Sequence, residues 1–181
     1  MDILAAARHI RLLAMDIDGT LTDGRIWIGP QGETAKSFSV RDGFGLTLLR
    51  KAGIELAIIT GRQSPIVAQR ARELGIPHVF QGVPDKLGVL RTLGEQLGIG
   101  LHQTAFIGDD WPDLAAMQAC ALPAAPADAV AEVKAVARWV ATARAGKGAV
   151  REFADFLLAS RGEREPLLAH FRGDPPPAGQ R

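Results

Sequence analysis

The chain has 181 residues, 47% of them hydrophobic, with 21 basic side chains against 20 acidic ones and a formal net charge of +1. That length suits one domain with a real core and at most a small appendage, and so even a balance excludes the long-range field that draws nucleic acid or an anionic membrane. A single cysteine, Cys120, excludes a disulfide framework and fits the cytoplasm, while the N-terminus MDILAAARHI and the absence of any long apolar run predict neither signal peptide nor membrane span.

The first apolar run, through Ile10, Leu12, Leu13 and Met15, predicts a strand that stops on two aspartates one residue apart, Asp16 and Asp18. Side chains at i and i+2 of an extended chain share a face, so these carboxylates can converge on one centre. Gly19 and Thr20 then turn the backbone away. Two like charges so close call for a cation between them or a retained proton, and a hard divalent ion is the simplest filler. Asp-x-Asp-Gly is also ordinary turn chemistry. A calcium loop of the EF-hand type is excluded, because Leu21 and Trp27 stand where it needs Gly and Glu.

Residues 25–28 and 36–40 are strand-like on either side of a Gly-Pro-Gln-Gly-Glu turn, which predicts a β-hairpin projecting from the sheet. Phe44, Leu48 and Leu49 repeat at helical spacing up to Gly53. The run at 54–60 is apolar enough for a strand covered on both faces and ends at Thr60. Ser64 with Pro65 opens a helix that Gly75 closes. A strand at 78–81, a helix at 84–97 and a strand at 104–107 follow, the last running into Gly108-Asp109-Asp110-Trp111-Pro112-Asp113 and a helix through Met117. Weaker signals predict a strand near Leu122, a helix at 128–137, a strand at 138–140 and a helix at 149–160. Residues 1–162 form the core by this reading; 163–181 form a tail, helical over 166–171 and then a disordered Pro/Gly run.

Alternating strands and helices argue a three-layer, Rossmann-like α/β domain with a mostly parallel sheet. Its ligands belong at the carboxyl ends of the strands, where Asp16 and Asp18, Thr60, and Asp109 with Asp110 all fall. Such a crevice suits a phosphate monoester. Magnesium on Asp16 and Asp109 matches that ion's use of one or two carboxylates plus phosphate, Lys86 at a helix N-terminus adds a positive point charge, and Thr60 adds a hydroxyl donor. Asp16 can then attack phosphorus to form an aspartyl-phosphate, with Asp18 as acid and later base. Each residue also has a plain reading: Thr60 as strand-end punctuation, Lys86, Arg41 and Arg62 as surface charges, Asp110 as a cap, Asp113 as a first-turn acid. The four histidines show no metal-ligand spacing, and Cys120 reads as packing.

The order DIDGT (16–20), a strand ending in Thr60, Lys86, and GDDWPD (108–113) resembles the four motifs of the haloacid dehalogenase superfamily. The resemblance implies Asp16 as nucleophile, Asp18 as acid/base and backbone-carbonyl magnesium ligand, Thr60 and Lys86 as phosphate binders, Asp109 as metal ligand, and Asp110 and Asp113 in support. DIDGTLTDG, FSVRDGFG, ITGR and GKGAVRE are similar to the superfamily's 3-deoxy-D-manno-octulosonate 8-phosphate phosphatases. That likeness implies a small sugar-acid phosphate as substrate, with Asp18, Ser39, Val40, Arg41, Asp42, Gly43, Arg62, Arg70 and Lys86 as substrate contacts. A nine-carbon nonulosonate 9-phosphate and a non-catalytic oligomerisation module are the alternatives; the survival of Asp16, Asp18, Lys86 and Asp109 speaks against the second. No cap domain fits between the motifs, so the site is expected to be capless and walled by neighbours in a homotetramer joined through the apolar hairpin.

Overall fold

A computed structural model describes residues 2–173. Strand β1 (Leu12–Met15) is followed by a hairpin of β2 (Trp27–Gly29) and β3 (Gly32–Ala35), then by β4 (Glu55–Thr60), β5 (His78–Gln81), β6 (Thr104–Ile107), β7 (Leu122–Ala125) and β8 (Trp139–Val140). Six of these make one sheet in the order β5-β4-β1-β6-β7-β8, every pairing parallel, and the hairpin forms its own antiparallel pair.

All four residues of β1 are buried, as required of a central strand with helices over both faces. Leu13 and Met15 point into one apolar cluster, shared with Leu46 and Leu49 of α2 (Val40–Lys51), Val67 and Ala71 of α3 (Pro65–Leu74), and Phe153 and Leu157 of α7 (Ala149–Ser160). Leu12 and Ala14 point into the other, with Leu90 and Leu93 of α4 (Lys86–Leu97), Met117 of α5 (Leu114–Ala119) and Val133 of α6 (Ala131–Val136). Three layers result. Because the chain fills β4 and β5 on one side of β1 before crossing to β6, the carboxyl ends of β1, β4 and β6 surround a topological switch point, where open α/β sheets bind their ligands.

The structure departs from the sequence expectations in several places. A helix α1 (Ile3–Arg8) precedes the sheet, built from the Ala, Leu and Arg of ILAAAR, which are strong helix formers, and it buries Ala6 and Ala7. The second hairpin arm is β3 at Gly32–Ala35, earlier than the expected 36–40. Ser39 explains this: its hydroxyl accepts from the Asp42 N–H at 3.3 Å, so α2 begins at Val40 and claims residues that look β-prone. Only a bridge between Thr22 and Phe38 remains of the longer arm. In the tail, α8 (Arg164–Arg172) folds back so that Phe171 meets Phe44 of α2 edge-on at 5.4 Å. The Pro/Gly run expected to be disordered, residues 174–181, lies outside the described residues. Among the described residues no helix is long and apolar enough to cross a membrane.

Candidate active site

Asp16 is the first residue past β1, and its N–H still bonds the Ile107 carbonyl of β6 at 3.1 Å, which fixes it between the two strand ends. It is 8% exposed. Lys86, the first residue of α4, reaches its carboxylate at 2.8 Å and donates to Asp113 at 2.6 Å. Asp113 is buried and fully used: its other oxygen accepts the N–H groups of Asp109 (3.0 Å) and Asp110 (3.3 Å), closing the loop after β6. Thr20 donates to Asp109 at 2.8 Å. Asp16, Asp109 and Asp113 thereby bring carboxylate oxygens within 4.8 Å of one another.

These groups titrate abnormally for a clear reason. Burial raises the pKa of Asp16, offset in part by Lys86 and raised again by Asp113. Burial pushes Asp109 up to about 7; the Thr20 hydroxyl opposes this, and Asp16, Asp113 and Asp110 add to it. For Lys86 burial works toward a lower value, but the charges of Asp16 and Asp113 outweigh it and hold the ammonium above its usual range. Three carboxylates crowd around one ammonium, and a divalent cation among them would favour their ionised forms. The one oxygen of Asp16 that Lys86 reaches, Oδ1, has that ammonium 2.8 Å away as its ion-pair partner. An all-oxygen donor set of this kind suits a hard divalent metal.

Gly19 makes the cluster possible. It sits at φ +94°, and a Cβ there would lie 2.1 Å from Asp109 Oδ2.

Asp18 stands apart from the cluster. Its carboxylate pairs with Lys36, which follows β3, and lies 3.6 Å from Arg62 beyond the end of β4. Thr60 is buried at that same strand end. Asp110 is exposed and caps the turn at 111–113 through the Trp111 N–H, at 2.8 Å.

The segment at 39–43 divides. Ser39 caps α2, while Val40 and Arg41 are exposed. Asp42 is wholly buried and turned away toward α7, whose Gly148 and Arg151 N–H groups it accepts. Gly43 leaves room for Arg70, since a Cβ there would lie 2.4 Å from the guanidinium. Arg70 pairs with Glu73 at 3.0 Å and lies over the Phe38 ring, with its Nε buried and unbonded. Cys120 is buried and its thiol is pushed up to about 12, chiefly by burial, so it is inert packing.

Sequence reasoning named Thr20 only as a turn and motif residue and Ser64 only as a helix cap, and did not single out Glu33 or Lys36; all four hold site groups in place. No local spacing marks Lys36, because its partner Asp18 lies 18 residues back across the hairpin.

Comparison with known proteins supports the same reading. The family of haloacid dehalogenase-like hydrolases matches residues 38–121. The 3-deoxy-D-manno-octulosonate 8-phosphate phosphatase KdsC of Escherichia coli K12 is 43% identical over 162 residues, 90% of this chain and 86% of the relative. The chain belongs to the KdsC family of haloacid dehalogenase-like hydrolases. Its fold matches that of a Moraxella catarrhalis phosphatase of the same name, solved with magnesium, phosphate and KDO, at a TM-score of 0.91 and 44% identity over 93% of this chain and 97% of that one. A cobalt-bound Haemophilus influenzae relative gives a TM-score of 0.86 at 41% identity over 88% and 93% of the two chains.

Proposed function

We propose that this chain is a magnesium-dependent phosphatase that hydrolyses 3-deoxy-D-manno-octulosonate 8-phosphate to the free sugar acid and phosphate through an aspartyl-phosphate. The observation that carries the reading is the constellation of buried Asp16, Lys86 and Asp113 with half-buried Asp109 at the ends of β1 and β6, present whole in a member of this family.

Asp16, Asp109 and the Asp18 backbone carbonyl would hold magnesium, which would supply charge neutralisation and orientation for the phosphate. Asp16 attacks phosphorus, and the bond from phosphorus to the sugar oxygen breaks. Asp18 gives that oxygen its proton, then recovers one from the water that splits the aspartyl-phosphate. Lys86 binds phosphate oxygens with Thr60, and Asp113 keeps the ammonium aimed. Asp110 supports the loop after β6 as its cap. Arg62, Arg41 and Arg70 serve the sugar-acid end, where the planar guanidinium matches a carboxylate, with Ser39, Val40 and Gly43 shaping the wall; Asp42 acts through the fold.

The working form is a cytoplasmic homotetramer in this reading. Trp27 and Ile28 on the hairpin are 59% and 75% exposed and Val40 is 80% exposed, an apolar surface suited to other copies of the chain. Phosphate release from a panel of eight- and nine-carbon sugar-acid phosphates, with and without magnesium, tests the function. Preference for a nine-carbon ester, or turnover indifferent to chelation, overturns it.

A further inference from the structure

Lysine is among the side chains least often buried, yet the side chain of Lys36 is wholly enclosed. Its ammonium bonds Asp18 Oδ1 and lies 2.8 Å from Glu33 Oε1. Glu33 in turn accepts the hydroxyl of Ser64, the N-cap of α3 just beyond the end of β4. The hairpin is therefore bolted to two strand-end loops through one buried cation. The two oxygens of Asp18 are not equivalent as a result. Oδ1 is occupied by Lys36, whereas Oδ2 is buried without a hydrogen bond, with only the Arg62 guanidinium near it at 3.6 Å. A buried carboxylate oxygen left without a hydrogen bond is costly unless something arrives to use it.

We propose that Lys36 is a positioning residue that locks Asp18 through Oδ1 and so presents Oδ2 to the leaving oxygen of the phosphate ester. This rests on the phosphatase reading and on Asp18 as its acid/base. As the bond from Asp16 to phosphorus forms and the phosphorus–oxygen bond to the alcohol breaks, the proton on Oδ2 passes to the departing oxygen; in the second half Oδ2 takes a proton from the attacking water as the aspartyl-phosphate bond breaks. The hairpin thus belongs to the chemistry as well as to the surface. Without Lys36 the carboxylates of Asp18 and Glu33 would keep only the more distant Arg62 guanidinium between them, and Asp18 would lose the bond that fixes Oδ1.

Leaving-group chemistry separates this role from a merely structural one. An alcohol needs a proton to depart, while 4-nitrophenolate scarcely does. The experiment measures kcat and KM for the sugar-acid phosphate and for a series from phenyl to 4-nitrophenyl phosphate, in wild type, Lys36→Gln, Lys36→Arg, Glu33→Gln, Asp18→Asn and the Lys36→Gln/Asp18→Asn double variant. General acid catalysis contributes about 10²–10⁴-fold, so Lys36→Gln should lose roughly 10- to 100-fold in kcat on the poor leaving groups and less than about threefold on 4-nitrophenyl phosphate. Lys36→Arg should recover most of that loss. Glu33→Gln loosens the hairpin but keeps the cation on Asp18, and should leave the ratio between good and poor leaving groups as in wild type. In the Asp18→Asn background Lys36→Gln should add no further leaving-group dependence. Equal losses on all esters, a change confined to KM, or a matching ratio change in Glu33→Gln overturns the proposal. A wild type that hydrolyses none of the esters overturns the phosphatase reading instead.

Discussion

Asp42 of α2 caps the helix α7 far along the chain: one carboxylate oxygen accepts the N–H of its N-cap, Gly148, 106 residues later at 3.2 Å and the other the Arg151 N–H at 2.7 Å. The first turn of α7 thus finds its acceptor on another element. Asp42→Ala strips acceptors from two N–H groups, and at about 1.5–3 kcal/mol for each hydrogen bond to a charged group, less what water recovers, the loss should be about 2–4 kcal/mol. Burial holds the Asp42 carboxyl above its ordinary range in spite of these donors; Asp42→Asn keeps one acceptor but turns its NH2 donor onto the other N–H, so it should be destabilised as well, by about as much as the alanine variant. Urea unfolding at constant m checks both. If Asp42→Ala keeps its stability and only KM changes, the capping account fails.

The Asp109 carboxyl, pushed up to about 7 mainly by burial, makes metal binding compete with a proton. In the metal-free protein the unfolded chain ionises Asp109 near 3.8, while the folded chain keeps the proton to about 7. This residue's contribution is therefore fully present below the lower value and is lost as pH rises through the upper one. Magnesium binds the ionised form and reverses the trend. The magnesium-induced rise in Tm should be small at pH 5.5 and large at pH 8, and Asp109→Asn should abolish it. Equal rises at the two pH values would contradict the argument.

Asp16→Asn should separate activity from stability. Turnover should fall by several orders of magnitude, since the proposed nucleophile and one metal-directed charge vanish together. Metal-free stability should hold or rise, because one of three crowded carboxylates becomes neutral. Residual activity within about tenfold of wild type, roughly 1.4 kcal/mol of barrier, would remove Asp16 from the nucleophile's role.

Gly19→Ala should destroy metal binding without touching a ligand. The new methyl would meet Asp109 Oδ2 at 2.1 Å, from a φ of +94° that costs a Cβ-bearing residue about 1–2 kcal/mol on its own. Calorimetric titration with magnesium should show at least a tenfold weaker site. An unchanged affinity would mean that Asp109 moves freely and is not held by its neighbours.

Trp27→Glu places a charge on the exposed hairpin, at a side chain 59% exposed in the single chain. If the chain assembles as proposed, light scattering coupled to size exclusion should show the proposed tetramer breaking into smaller species, with activity falling alongside. A variant that keeps both would show that the hairpin is not the contact.

Much of this arrangement was legible in the sequence because it follows from short-range rules. Parallel strands covered on both faces must be apolar throughout, so the strands ending at Met15, Thr60 and Ile107 stand out, and the polar residues right after them become conspicuous. What escaped was decided by distant partners. Phe38 and Val40 look like strand residues, but the Ser39 cap outcompetes that preference. Asp42 reads as part of a substrate loop until α7 is seen to use both its oxygens. Lys36 carries no signal at all until the hairpin folds its ammonium onto Asp18.

The placement of β1 at the centre of the sheet has a consequence for biosynthesis. The strand bearing Asp16 emerges first but is completed only by β6, and Thr20 must wait for Asp109, 89 residues downstream. At about 5–20 residues per second of translation, that interval is on the order of ten seconds. During it the nascent chain holds Asp16, the proposed nucleophile, but lacks Asp109 and Asp113, which complete the carboxylate cluster. Under the proposed mechanism, a ribosome that stalls before β6 releases a product that lacks Asp109 and Asp113 and is catalytically silent.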